Sequence, residues 1–256
     1  MNSYADPPLI SIITVCLNAE YTIQDTIISV LAQEYPNIEY IVIDGGSSDG
    51  TIEVINRYIS KISFFVSESD EGVYDAMNKG IGLATGDVIG ILNSDDFYID
   101  EKVIEKVAQV FRGKEVDSMF ADLVFVKPDN LKKTVRYYDN SQFNPSMFAY
   151  GLMPSHPTFF VKRKIYEKFG LFRTDLKVAS DYDILARFLY KHRISYFYLN
   201  EVIIKMRLGG ASTSLFNILF TNSREVMKAC KNNGIDTNWF KILSRYFGKI
   251  AGIIGK

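Results

Sequence analysis

The first 95 residues alternate between short, continuously apolar runs and segments whose apolar residues recur at helical spacing. The apolar runs lie at 9–16, 38–43, 63–66 and 87–92, and the helical patterns lie at 20–33, 51–59 and 73–84. A strand that is apolar on both faces is typical of a parallel sheet covered by helices. Because parallel neighbours need a crossover connection, the pattern predicts an α/β fold with a mostly parallel sheet.

The pattern changes after residue 98. We predict a helix at 100–111, antiparallel strands at 118–126 and 134–138, an irregular stretch at 143–157, a strand at 158–161, a helix at 180–190 and strands at 194–199 and 202–206. Gly209-Gly210 marks the expected end of this portion. The sequence therefore predicts one main unit over residues 1–212, with a smaller antiparallel portion in its second half.

Composition excludes several classes of protein. The chain has 256 residues and a net charge of −1, which argues against a nucleic-acid binder with a broad basic surface. Two cysteines and two histidines are too few for a disulfide framework or a usual zinc site. The first ten residues lack a secretory signal, and no apolar run reaches the ~20 residues of a membrane span. We expect a cytoplasmic protein that is soluble or lies on a membrane surface.

Two adjacent carboxylates, Asp95 and Asp96, follow the apolar run Val88–Leu92 in the segment Asn93-Ser94-Asp95-Asp96. Open α/β sheets bind ligands at the carboxyl ends of their strands. Adjacent like charges are costly unless a cation or hydrogen-bond donors neutralise them. The pair therefore predicts a hard divalent cation with a phosphate beside it, and the alternative is an N-cap for the next helix.

Two further polar segments are candidates for ligand binding. The glycine-rich segment 44–50 follows the second strand, where Asp44 can accept a hydrogen bond from a base or a ribose; a turn with an N-cap is the alternative. In the segment 70–80, Asp75, Asn78 and Lys79 share one helical face, and Lys79 is suited to a phosphate. A solvated helix face is the alternative for these three.

The second half carries a candidate base and scattered candidates for the acceptor side. Asp181 lies at a predicted helix start, where it can act as a general base or merely cap the helix. The other candidates, each with a structural alternative, are His156, Arg187, Lys205 and Arg207.

Taken in order, these segments resemble family 2 glycosyltransferases, which are inverting enzymes of the GT-A fold. The resemblance runs from about residue 9 to 212, and it is closest to bacterial enzymes of lipopolysaccharide and exopolysaccharide synthesis. It implies a Rossmann-like GT-A sheet with a nucleotide-binding half at about 9–98 and an acceptor half at about 99–212.

The resemblance also implies roles for individual residues. Asp95 and Asp96 would hold Mn²⁺ or Mg²⁺ against the donor diphosphate, and Asp181 would deprotonate the acceptor hydroxyl. The residues implied in nucleotide-sugar binding are Val15, Leu17, Asn18, Asp44, Asp75, Asn78, Lys79, Asn93, Ser94 and Asp95. Three positions depart from the common pattern: Gly45 and Asn93 replace acids, and Ser180 replaces a glutamate.

We therefore expect a metal-dependent, inverting glycosyltransferase that uses a nucleotide-sugar donor, with UDP-sugars favoured. Its acceptor would be a hydroxyl of a growing, lipid-linked bacterial glycan. Two alternatives from other classes are a nucleotide-sugar-binding protein without catalysis and a metal-dependent phosphohydrolase. The sequence does not specify the sugar, the linkage, the oligomeric state or which of the paired acids binds metal directly.

The segment from residue 213 to 256 differs in composition from the rest. Residues 215–256 hold seven basic residues and two acids, a local charge of +5 (7 − 2). We predict an amphipathic helical extension whose apolar stripe comprises Trp239, Leu243, Tyr246, Phe247, Ile250 and Ile254. This stripe is suited to an anionic membrane surface, and a helix packed on the core is the alternative.

Overall fold

The computed structural model describes residues 7–209 and 215–245, with the backbone alone described for 215–220. The strands are β1 (Ile10–Cys16), β2 (Ile38–Asp44), β3 (Phe64–Ser67), β4 (Val88–Ile91), β5 (Asp96–Tyr98), β6 (Ser118–Lys127), β7 (Asn130–Tyr138), β8 (Phe160–Lys162) and β9 (Tyr196–Arg207). The helices are α1 (Ile23–Leu31), α2 (Thr51–Asn56), α3 (Val73–Leu83), α4 (Val103–Gly113), α5 (Arg163–Phe169), α6 (Ser180–Leu185, continued as a π-helix over Ala186–Lys191) and α7 (Leu215–Asn232). Short 3₁₀ turns lie at Ile59–Lys61, Pro145–Tyr150 and His156–Thr158.

The described strands form one sheet in the order β3-β2-β1-β4-β8-β6-β9-β5, with β7 beside the second half of β6. The first four strands are parallel, as are β6 and β9, whereas β8, β7 and β5 run antiparallel to their neighbours. This is the predicted α/β fold with a mostly parallel sheet and an antiparallel second part. The carboxyl ends of β1, β2, β3 and β4 lie along one edge, which positions the site.

Close helix packing covers both faces of the sheet. Each face carries an apolar cluster, one led by α1 and α4 and the other by α3, α6 and α7. On the second face, Gly80 brings α3 directly onto β1, because a Cβ at this position would lie 2.4 Å from Cγ2 of Ile13. The α3 backbone therefore approaches the sheet more closely than a side chain would permit.

The predicted elements of the first half are confirmed, with ends displaced by a few residues. The second half departs more. The two strands predicted at 194–199 and 202–206 form the single strand β9, and the irregular stretch contains two 3₁₀ turns. Neither β5 nor α5 was predicted. Strand β5 begins inside the polar segment 93–96, and α5 has only two buried residues, Ile165 and Tyr166, which are too few to show helical spacing.

The described part of the C-terminal extension packs on the core. The α7 side chains Val226, Ala229 and Cys230 are buried in the same cluster as α6, and Ile235 and Ile242 join them. None of the helices within the described ranges has the length and apolar composition that crossing a membrane requires. The predicted stripe positions from Tyr246 onward lie outside the described residues.

Candidate active site

The paired acids lie where the chain passes from β4 to β5. Asp96 is fully buried, and Asp95 is half-buried beside it. Burial raises the pKa of both carboxyls, and the neighbouring charge of Asp95 raises that of Asp96 further. Within the described residues, the buried oxygens Asp96 Oδ1 and Asn93 Oδ1 have no hydrogen-bond partner. Together with the neighbouring carboxylate of Asp95, these two oxygens form a region of strongly negative electrostatic potential.

Arg207 lies against this acid pair. Strand β9 pairs with β5 so that Met206 faces Asp96, and the next residue therefore reaches Asp95. The guanidinium Nη1 donates to the carbonyl oxygen of Asp95 at 3.3 Å, and Nη2 is ion-paired with Asp25 on α1. The acceptor-side role of Arg207 stays a prediction; its contacts in the structure are with Asp95 and Asp25. Asp25 carried no sequence signal, since it reads as an ordinary first-turn acid of α1.

Asp44 organises the glycine-rich loop that follows β2. Its buried carboxylate accepts hydrogen bonds from the amides of Gly46 and Ser47, at 3.2 and 3.0 Å, and from the hydroxyl of Ser67 at 2.7 Å. Burial alone would raise its pKa, but these hydrogen bonds outweigh burial and hold the pKa below its ordinary value. The side chain thus fixes the shape of the loop, and the loop presents its backbone to the edge of the sheet.

The loop after β1 is joined to this glycine-rich loop by Asn18. Asn18 adopts a left-handed backbone with φ of 50°, which asparagine tolerates better than most residues. Its amide donates to Ser47 Oγ at 2.8 Å, and its side-chain oxygen accepts from the amide of Ser48 at 3.0 Å. The neighbouring Leu17 is 56% exposed, whereas Val15 is buried in the sheet. The two loops form one surface beside the acid pair.

Asp70 occupies the space that a side chain at position 45 would need. A Cβ built on Gly45 would lie 2.3 Å from Asp70 Oδ2, and Asp70 Oδ1 accepts from the amide of Gly72 at 2.8 Å. At position 45, which has no side chain, this chain therefore places a carboxylate from the loop after β3. Asp70 lies in the polar segment 70–80, but no role was predicted for it.

The three α3 residues predicted to bind ligand, Asp75, Asn78 and Lys79, lie in two different environments. Asn78 holds the loop before α6, since its Nδ2 donates to the carbonyl of Phe172 and its Oδ1 accepts from the amide of that residue, both at 2.9 Å. Lys79 is ion-paired with Glu68 at 2.9 Å and with Asp75 at 3.4 Å. The amide of Asn78 is therefore used internally, and Lys79 lies among acids at the sheet edge.

Asp181 lies in the first turn of α6. Burial raises its pKa to about 6, partly offset by hydrogen bonds from the Tyr182 amide at 2.7 Å and the Tyr74 hydroxyl at 3.4 Å. The charge of Glu225 on α7 raises it slightly further. A carboxyl with a pKa near 6 is ionised at neutral pH and binds a proton more readily than an ordinary aspartate, as a general base should.

Aromatic side chains support this carboxyl. The ring of Tyr74, whose hydroxyl reaches Asp181, stacks on Phe172 with centroids 5.7 Å apart. His156 packs edge-on against Phe172 at 5.6 Å, and its burial lowers its pKa to about 4. His156 is therefore a neutral part of the aromatic support at neutral pH. Tyr74 carried no sequence signal, because at helical spacing it reads as a core residue.

The remaining acceptor-side candidates, Arg187 and Lys205, have partners other than Asp181 in the structure. Arg187 donates to the carbonyls of Phe169 and Leu171, at 3.0 and 2.8 Å, and to Asp183 at 3.0 Å. Its guanidinium therefore holds the end of α5 against α6. Lys205 lies over the ring of Phe97, on the strand pair that also carries Arg207. Ser94 lies half-buried between Asn93 and the acid pair.

The site combines a parallel sheet edge with a glycine-rich loop, paired acids and a separate half-buried carboxylate, and this combination agrees with the predicted GT-A glycosyltransferase class. Residues 11–170 match the model of glycosyl transferase family 2. Because this match covers more than half of the chain, the chain belongs to that family and is a glycosyltransferase. This confirms the family resemblance and the fold expected from the sequence.

Individual relatives agree with this assignment. An uncharacterised glycosyltransferase of Rickettsia typhi is 33% identical over 226 residues, which cover 83% of this chain and 67% of the relative. The PGL/p-HBAD biosynthesis glycosyltransferase of Mycobacterium bovis is 26% identical over 212 residues, covering 81% of this chain and 80% of that protein. The chain thus spans about two thirds of the Rickettsia relative.

Solved structures share the fold. Residues 1–349 of TarS from S. aureus superpose with a TM-score of 0.65 and 19% identity, covering 93% of this chain and 72% of that one. A mannosyltransferase from Pyrobaculum calidifontis, solved with GDP-Man and Mn²⁺, gives a TM-score of 0.66 and 16% identity, covering 90% of this chain and 65% of that one. At these identities the likeness establishes the fold alone.

Proposed function

We propose that this glycosyltransferase is metal-dependent and inverting, and that it transfers a sugar from a nucleotide-sugar donor to a glycan hydroxyl. The observation that carries the proposal is the presence of two kinds of acid: the adjacent pair Asp95 and Asp96, with Asp96 Oδ1 buried and without a hydrogen-bond partner, and the single half-buried carboxyl of Asp181 with a pKa of about 6. The first kind is suited to a cation and a leaving diphosphate, and the second to a proton.

The donor would lie along the edge formed by the loops after β1, β2 and β3. The joined loops at Asn18 and Asp44 present backbone and hydroxyl groups, and Asp70 presents a carboxylate that can accept from the N–H of a uracil or guanine base. TarS has been solved with UDP-GlcNAc and the Pyrobaculum enzyme with GDP-Man, which supports a nucleotide sugar. We favour a UDP-sugar.

The residues present fit a divalent cation. Mn²⁺ and Mg²⁺ prefer oxygen ligands, and the unsatisfied Oδ1 atoms of Asn93 and Asp96 and the carboxylate of Asp95 are oxygens of this kind. Among the described residues, no three His, Cys, Asp or Glu side chains come together, so donor phosphate oxygens and water would complete the set. When bound, the cation would stabilise the negative charge of the departing diphosphate.

Asp181 would act on the acceptor. Its ionised carboxylate removes the proton of an acceptor hydroxyl as that oxygen attacks the anomeric carbon from the side opposite the diphosphate. The new glycosidic bond forms as the bond to the diphosphate breaks, so the anomeric configuration inverts. Burial raises the pKa of this carboxyl, and this makes it a stronger base than an exposed aspartate.

The substitution Asp181→Asn tests this assignment. We expect transfer to fall by at least about a thousandfold, because an amide cannot accept the proton, with donor affinity unchanged within about twofold. Rates of sugar transfer to a detergent-solubilised bacterial lipid extract and calorimetric binding of the donor would measure the two effects. Full turnover by the variant would refute the role of Asp181 as the base.

The donor and the metal are best identified together. A screen of UDP- and GDP-sugars with and without Mn²⁺ should raise the melting temperature for the true donor, because a ligand that binds only the folded chain stabilises it. The variant Asp96→Asn should lose the metal-dependent part of this shift. If Mn²⁺ raises the melting temperature of Asp96→Asn with donor as much as that of the wild type, Asp96 has no metal role.

We further propose a cytoplasmic location, with peripheral attachment to the membrane that carries a lipid-linked acceptor. Exposed apolar side chains lie together where the segment 145–151 meets residues 237–245; they are Tyr150, Trp239, Phe240 and Leu243. Phe240 is 88% exposed and Lys241 follows it. An apolar patch bordered by basic residues is suited to an anionic lipid surface.

A further inference from the structure

The loop that leads into α6 is held by a carboxylate from α7. Glu225 Oε1 accepts from the amide of Lys177 at 3.0 Å, and its Oε2 accepts from the amides of Val178 and Ala179 at 2.8 and 3.0 Å. These amides directly precede Ser180, the first residue of α6, and Asp181 is the second. Charge-assisted hydrogen bonds of this kind are about twice as strong as neutral ones.

The same helix contacts this region at two more points. Lys228 Nζ is ion-paired with Asp175 at 2.7 Å, and the side-chain amide of Asn233 donates to Asp183 Oδ1 at 3.0 Å. Asn233 directly follows the last residue of α7. The partners of Glu225 and Asn233 lie on either side of Asp181 in the sequence, so α7 and the residue after it hold the backbone both before and after the candidate base.

We infer that Glu225 is a positioning residue for the acceptor reaction, which acts by holding the 177–179 backbone so that the Asp181 carboxyl is correctly aimed. This inference rests on the proposed role of Asp181 as the base. The carboxyl of Asp181 can point only where the first turn of α6 directs it, and that turn is fixed by Glu225 from one side. The extension beyond residue 213 would thereby contribute to catalysis and not only to attachment.

The charge of Glu225 gives this role a second, measurable effect. The groups that face the Asp181 carboxyl are the hydroxyl of Tyr74 from α3, the ring of Tyr138 from β7 and Glu225 from α7. Glu225 is the one carboxylic acid among these three groups, and its charge raises the pKa of Asp181. Neutralising it should therefore lower the pKa of Asp181 as well as loosen the loop.

The test compares full-length Glu225→Gln with the matched surface variant Glu105→Gln, which removes an exposed ion pair with Arg112 on α4. In Glu225→Gln we expect hydrogen exchange at the 177–179 amides to be at least about tenfold faster, since all three of their hydrogen bonds to Glu225 lose a charged acceptor. We also expect the titration of the Asp181 carboxyl carbon, followed by NMR, to shift to lower pH. Glu105→Gln should match the wild type in both.

Turnover completes the test. The assay contains Mn²⁺, UDP-GlcNAc and a bacterial lipid extract, and GDP-Man replaces UDP-GlcNAc if GDP-Man is the donor that supports transfer. Under these conditions, Glu225→Gln should lose about tenfold or more in kcat, with the KM for the donor unchanged. If Glu225→Gln fails to fold, Glu225→Asp, which keeps the charge on a shorter side chain, should show the same loss. An unchanged kcat, exchange rate and titration in a folded variant would overturn the inference while Asp181→Asn stays inactive. An active Asp181→Asn would overturn the base assignment, and the inference with it.

Discussion

At the scale of single residues, the carboxylate of Asp70 occupies the space that a side chain at position 45 would need. The loop after β3 brings a carboxylate over a position that has no side chain, and the two positions are therefore coupled. A residue larger than glycine at 45 must displace Asp70, because 2.3 Å is far inside van der Waals contact. The carboxylate at this edge of the sheet comes from position 70, and position 45 has to remain small.

This coupling predicts a swap. Gly45→Asp alone should weaken binding of UDP with Mn²⁺ by about tenfold, or roughly 1.4 kcal/mol, because it displaces Asp70. Adding Asp70→Gly should restore most of the affinity. The carboxylate introduced at position 45 then replaces that of Asp70, and removal of the Asp70 side chain leaves space for it. Isothermal titration of the single variants, the double variant and the wild type would measure the coupling. Additive effects of the two changes would refute it.

The raised pKa of Asp181 also has a consequence for stability. The folded chain keeps this proton up to a pH of about 6, whereas the unfolded chain releases it near 3.8. The wild type therefore loses stability as the pH rises through this window. Relative to the wild type, Asp181→Asn should gain up to about 3 kcal/mol in the free energy of unfolding between pH 4 and pH 7. Urea unfolding at several pH values would measure the gain, and a pH-independent difference would contradict the raised pKa.

Several residue roles were not predictable from the sequence for a physical reason. Asp95 and Asp96 form a pair through adjacency alone, so the sequence reveals them. Arg207 reaches Asp95 only because β9 and β5 pair in one particular register, and Glu225 reaches residues 177–179 only because α7 packs on α6. Contacts between residues far apart in sequence depend on register and packing, which periodicity does not specify.

At the scale of elements, α3 depends on its two interior glycines in opposite ways. Gly80 faces β1, where an added methyl would meet Ile13, whereas nothing lies within 4 Å of a Cβ at Gly82. Gly80→Ala should destabilise the fold by about 1 to 3 kcal/mol through overpacking. Gly82→Ala should stabilise it by up to about 1 kcal/mol through helix propensity. Urea denaturation of both variants would measure the contrast, and equal effects would show that α3 can shift away from β1.

The elements themselves were predictable where their apolar pattern is long or where neighbours follow each other in sequence. Strands β1, β2 and β3 each lie beside a strand that is next to it in the sequence, β4 lies in the apolar run Val88–Leu92, and every one of these strands and the helices between them was predicted. By contrast, β5 has three residues, and its partner β9 comes more than 90 residues later. The break predicted in β9 follows the polar pair Asn200-Glu201, which the structure accommodates as an irregularity in the pairing with β6.

At the scale of the whole molecule, the exposed patch of Tyr150, Trp239, Phe240 and Leu243 predicts attachment to membranes. Phe240→Ser should reduce partitioning to vesicles rich in anionic phospholipid by about tenfold, because burying one phenyl group contributes about 1.5 to 3 kcal/mol. Tyr21→Ser is the matched control, since Tyr21 is 90% exposed on α1's side of the molecule. Sedimentation with vesicles would measure both, and equal loss in the two variants would refute a specific patch.

The paired hydrogen bonds between Asn78 and the backbone of Phe172 have a consequence for exchanging parts between relatives. They join residues 94 positions apart, one on α3 and the other in the loop before α6. In a chimera that joins the first half of one enzyme to the second half of another, the two partners of these hydrogen bonds come from different enzymes. The same is true of neighbouring strands of the sheet. A recombined chain, natural or engineered, therefore keeps these two hydrogen bonds only when the incoming segment presents its backbone to Asn78 in the same way.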